Sequence, residues 1–113
     1  MCHAKDGKGL PAAGFPPLAG SEYVTGDYER LVLITTKGLQ GPIELNGKTY
    51  NSAMPGFQGR LSTRDMQALF AYIRNAWGNQ SNVISESEIE KIIEEHKDAK
   101  PMPTIKEIED LTK

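Results

Sequence analysis

MCHAKDGKGLPAAGFPPLAGS, residues 1–21, is the stretch whose reading decides the fold. A histidine follows a cysteine at once, and Gly, Pro and Ala then dominate as far as residue 26. By local rules residues 4–26 are loop, because these residue types interrupt both helix and strand. A second irregular stretch, LQGPIELNGKTYNSAMPGFQGRL, fills residues 39–61. Two such loops are long for a single domain of 113 residues and usually signal a function or a mistaken element assignment. They must pack on something, yet aromatic residues make up only 7% of the chain. The protein alone offers little apolar mass, and a large bound apolar group would supply the rest.

The intervening segments read as helices. DYERLVLITTKG, residues 27–38, has Asp27 as a cap, and Tyr28, Leu31, Val32 and Thr35 share one side. Gly38 stands where a left-handed residue ends a helix. In STRDMQALFAYIRNAWGN, Ser62 and Asp65 resemble a capping box. Met66, Leu69, Phe70 and Ile73 form its apolar stripe, with Tyr72 and Trp77 beside it and Gly78 as the stop. Asn46-Gly47 between two short β-prone runs predicts a small hairpin. Two short helices follow, each opened by a capping box: Ser85 with Glu88, and Thr104 with Glu107.

Charge separates the chain in two. Residues 1–84 carry 8 Lys/Arg against 6 Asp/Glu, and residues 85–113 carry 5 against 9. The division expected is a domain over 1–84 and an acidic helical tail over 85–113. The near balance overall argues against a general nucleic-acid or membrane-surface binder. No apolar run is long enough for a membrane span, and no signal peptide stands at the start. A single cysteine rules out an intramolecular disulfide.

Met1-Cys2-His3 supplies the last three places of Cys-x-x-Cys-His, the signature of covalent c-type haem attachment. CHAKDGKG, FPPLAGS, MPGF and LSTRDMQALFAYIRNAWGN then follow in order. Together these stretches resemble the class I c-type cytochromes of bacterial respiratory chains, from Met1 to about Val83. The resemblance starts in mid-motif. It implies a family member truncated within that motif, lacking the first cysteine and the N-terminal helix.

The resemblance implies an all-α, cytochrome c-like fold of short helices and long loops around a haem, with an added helical tail. His3 would be the proximal iron ligand, and the carbonyl of Pro16 would accept from its ring. Met54, in SAMPGF, would be the distal ligand; Met66 and Met102 are poorer candidates. Leu18 would press on the haem face, while Val32, Ile43, Tyr50, Phe57 and Leu69 would line the pocket. Cys2 would form a single thioether to haem c, the alternative being haem bound without a covalent link. Gly7 and Gly9 would let the backbone turn tightly after the ligand; they do not make a dinucleotide fingerprint. His96, in the acidic tail, reads as a solvated histidine.

The function so implied is outer-sphere transfer of one electron, with no substrate bond made or broken. The expected partners are redox proteins, steered by residues such as Lys5, Lys8 and Lys48. Neither nucleic acid nor membrane insertion by this segment is expected. By resemblance the location is the periplasm or the outer face of the membrane. Two alternatives stand beside this reading: a module of a larger respiratory oxidoreductase, and a haem-free helical interaction module. An uncovered strip around Ala68, Ala71 and Tyr72 would invite self-association unless Ile89, Ile92 and Ile93 of the tail cover it.

Overall fold

The computed structural model describes residues 3, 6–10, 14–45, 47–51 and 53–112. Its elements run α1 (Glu22–Thr25), α2 (Tyr28–Lys37), β1 (Pro42–Leu45), β2 (Lys48–Asn51), α3 (Thr63–Ile73), α4 (Glu86–Glu95) and α5 (Ile105–Leu111). This is the helical, cytochrome c-like architecture expected, with one small hairpin. In the hairpin Ile43 pairs with Tyr50 and Leu45 with Lys48, so Ile43, Leu45 and Tyr50 bury on one side. Asn46, half of the anticipated turn dipeptide, lies outside the described residues.

Asp27 caps α2 by accepting from the Glu29 amide, and Gly38 ends the helix at φ 85°. Leu31, Val32, Leu33 and Ile34 of α2 are all buried, which makes α2 the centre of the molecule. α4 packs on both α2 and α3, and α5 packs on α2. Ile89, Ile92 and Ile108 thereby join Met66 and Phe70 in one core. The tail isoleucines bury as expected, but they do not cover the anticipated strip. Ala68 and Tyr72 remain exposed and Ala71 half-buried, because α4 lies against the Met66, Phe70 and Ile73 side of α3.

α3 also ends earlier than its sequence suggests. Asn79 donates to the Ile73 carbonyl at 2.8 Å, and Trp77 turns left-handed at φ 54°. A side chain six residues on thus takes the bond that a further turn would need. Trp77 lies edge-on to Tyr72, with ring centroids 5.6 Å apart. Its indole covers Gly7, at φ 70°, where any Cβ would clash with the ring. α1 was not anticipated: Ser21 caps a single turn inside what reads as loop.

Both capping boxes of the tail form. The Tyr28 hydroxyl and Ser85 hydrogen-bond Glu88 and hold its carboxyl below the usual range. Lys100 and the Thr104 amide hold that of Glu107 down to about 2. The unfolded chain therefore binds the Glu107 proton more tightly than the folded one. Its stabilising contribution is complete above the ordinary value of 4.5 and fades as pH falls toward about 2. Glu107→Gln is expected to lower Tm above that window and to match the wild type at its acid end. Thermal melts across the acid range check this; a difference independent of pH contradicts it.

Candidate functional site

An apolar cavity opens between the first loop, the hairpin and the loop before α3. It encloses about 80 Å3 and widens into a solvent-facing mouth. His3, Pro16, Ile43, Tyr50 and Met54 all line it. The fold thus brings together residues that are far apart in the chain.

Each wall has a local cause. The Gly9 amide donates to the His3 carbonyl at 2.9 Å, closing a tight turn behind the histidine. Nδ1 of His3 lies 2.6 Å from the Pro16 carbonyl oxygen. A carbonyl only accepts, so this bond puts the ring proton on Nδ1 and leaves Nε2 with a free lone pair. Leu18 and Ala19 donate to the Gly7 carbonyl and press the Pro16 segment onto the histidine turn.

Met54 is fixed through its backbone. Its amide donates to the Leu39 carbonyl at 2.8 Å, and its carbonyl accepts from the Leu39 amide at 3.0 Å. On the far side of Pro55, Phe57 and Gln58 donate to Thr35 and Thr36 at the end of α2. The thioether is therefore carried by a loop tied at both ends to the α2 terminus. A neutral imidazole nitrogen and a soft sulfur in one apolar cavity suit a transition metal inside an apolar macrocycle.

Other expected lining residues are not among those that line this cavity. Val32 is wholly buried in the α2 core, and Leu18 and Phe57 are half-buried beside the loops. Leu69 is 38% exposed on α3, away from the cavity wall, because its helix turns Met66 and Phe70 inward instead. Cys2 and Lys5 lie outside the described residues, while Lys8 and Lys48 are exposed. Of the poorer methionines, Met66 is 1% exposed in the core and Met102 packs against Gly38. The sequence reading missed Phe15, Leu39 and Pro55 as wall residues. Their nearness to Pro16, Gly38 and Met54 was the available signal.

His96 departs from expectation. Its side chain is only 11% exposed, and Nε2 lies 2.9 Å from Glu29 Oε2 on α2. The partner sits 67 residues away in the chain, so no local pattern reveals it.

Residues 1–77 match the family model described as Cytochrome c. The chain is 41% identical over 86 residues to cytochrome c-552 of Thermus thermophilus, a match covering 73% of this chain and 64% of that protein. It is 36% identical over 95 residues to the cytochrome c subunit of a quinone alcohol dehydrogenase of Gluconobacter oxydans. That match covers 81% of this chain and 19% of the subunit. The chain thus spans less than two-thirds of the length of these relatives.

Proposed function

Because the chain belongs to the cytochrome c family, whose members bind haem c, we propose that it carries single electrons on a haem held between His3 and Met54. The observation that supports this most is the shared cavity, with the His3 ring already oriented by Pro16. When bound, the haem supplies an iron that cycles between ferrous and ferric.

The residues of this chain have separable parts in that role. Nε2 of His3 is the basic nitrogen donor, and the Pro16 carbonyl strengthens it by holding the proton on Nδ1. Met54 is a neutral soft donor, which favours the reduced metal and raises the potential relative to a second histidine. Ile43, Tyr50, Leu39 and Phe15 exclude water from the cavity. Held by both His3 and Met54, the group would have no place left for small-molecule ligands. Cys2 offers the thiol for a single thioether; without it the haem is held by the cavity alone.

Donor and acceptor are redox proteins that approach the haem edge, with exposed Lys8 and Lys48 steering them. The place of action is the periplasm or the outer face of the membrane. No helix among the described residues is long and apolar enough to cross a membrane. The alcohol dehydrogenase subunit's likeness favours a second reading, in which this carrier serves a larger oxidoreductase.

Purified protein loaded with haem tests the main reading. Expected are a sharp Soret band, split visible bands on reduction, and a weak red band of methionine–iron bonding when oxidised. A colourless protein that resists reconstitution would favour a haem-free interaction module instead.

A further inference from the structure

Met54 is not held by the segment around it alone. Its backbone partner Leu39 precedes Gln40, and Gln40 is bound twice to the chain between α4 and α5. The Gln40 amide donates to the Pro103 carbonyl at 3.1 Å. The Gln40 side chain donates from Nε2 to the Met102 carbonyl at 2.7 Å. The Met102 amide in turn donates to the Lys37 carbonyl at 2.9 Å.

Packing closes the same contact. An added Cβ at Gly38 would crowd the Met54 carbonyl, the Gly56 amide at 2.8 Å and Met102 Sδ at 2.7 Å. The loop that bears Met54 and residue 102 of the tail therefore meet at one glycine. Thr104 reaches the next wall residue, its Cγ2 lying 3.3 Å from where a Cβ on Gly41 would stand.

The connecting segment is itself fastened. The Lys37 ammonium donates to the Lys97 carbonyl at 3.5 Å, and Lys100 pairs with Glu107 at 2.7 Å. Pro103 is buried, and Met102 is held at φ 54°, a conformation that non-glycine residues seldom adopt. Such a conformation persists only where its surroundings over-determine it. All of these tail residues lie beyond residues 1–77, the part that matches the family.

We propose that residues 100–104 of the tail act as a strap that positions Met54, with Gln40 as the positioning residue that transmits its hold. This rests on the reading of Met54 as the distal ligand. The strap acts through the backbone pairing of Leu39 with Met54, and no tail atom need reach the metal. Loosening it raises the fraction of molecules in which the sulfur has left its place.

Exogenous imidazole reports that fraction, because it binds only where the methionine has moved away. Its apparent affinity scales with the population of the open state. Full-length, haem-loaded protein is titrated with imidazole in the oxidised form, following loss of the red methionine band. Gln40 is exposed, so its substitution leaves the core intact. Gln40→Ala is expected to tighten imidazole binding roughly fivefold, the population change from losing one net hydrogen bond. Gln40→Glu keeps the size but sets an acceptor against the Met102 carbonyl, and is expected to tighten it at least as much. Ser85→Ala weakens the cap of α4 far from the strap and is expected to leave imidazole affinity unchanged.

Unchanged affinity in both Gln40 variants overturns the strap, and so does an equal shift in Ser85→Ala, which would show a global effect. A wild type that lacks the red band overturns Met54 ligation itself, and the strap with it. A wild type that has the band but insensitive Gln40 variants overturns the strap alone.

Discussion

Met54→Ala is expected to abolish the red methionine band of the oxidised holoprotein and to lower its potential by roughly 0.1 V or more, within the ~0.8 V range that axial ligands span. The side chain is half-buried and lines the cavity, so truncation removes a donor without opening the main core. The loop should keep its place, because Leu39, Thr35 and Thr36 hold it through backbone groups. The variant is therefore expected to bind cyanide or imidazole without displacing a protein ligand. Its far-ultraviolet circular dichroism should remain that of the parent. Redox titration and visible spectroscopy check both points. A variant with unaltered potential and an intact red band would remove Met54 from the ligand set.

The largest effect on stability is expected at Arg74. Its side chain is 1% exposed, and no carboxylate among the described residues pairs with it directly. Every donor of the guanidinium is instead used. Nη1 donates to the carbonyls of Val24 at 2.8 Å and Gly26 at 3.1 Å. Nε donates to the Asn82 carbonyl at 2.9 Å, and Nη2 to Asn82 Oδ1 at 2.7 Å and Ser81 Oγ at 2.6 Å. Burial pushes the Arg74 pKa down, and Asp27 offsets part of that. One cation thus ties α3 to the turn between α1 and α2, and to the chain leading into the tail. Arg74→Met keeps the stem but strands these acceptors, each costing ~1–3 kcal/mol if left dry. Allowing water to reach some of them, a loss of about 3–5 kcal/mol is expected, out of the ~5–15 kcal/mol of a typical domain. Arg74→Lys should fare little better, since one ammonium cannot span that fork. Denaturant unfolding measures both variants; a loss under ~1 kcal/mol in Arg74→Met contradicts this account.

What the sequence showed and what it hid follow the range of the forces concerned. α2, α3 and the tail helices are local: caps at Asp27, Ser62, Ser85 and Thr104 sit next to apolar residues at helical spacing. His3, Pro16 and Met54, the residues proposed to serve the haem, stand in ordered motifs with recognisable neighbours, and the fold gathers all three around one cavity. The α3 terminus was not legible, because it depends on where Asn79 folds back. The stripe on α3 gave a face but not the neighbour that covers it, hence the exposed Leu69. His96 and Arg74 find partners 67 and about 50 residues away, beyond any periodic signal. The single turn α1 is too short to nucleate by itself.

The meeting of Leu39, Gln40, Met54 and Met102 has one more consequence. Their amides are engaged by other segments, although none of the four belongs to a helix or a named strand. Solvent hydrogen can reach them only when distant parts of the polypeptide separate together. A stretch that looks like mere connector thus shares the fate of the regular elements, and its slowest opening is set by chain more than forty residues downstream.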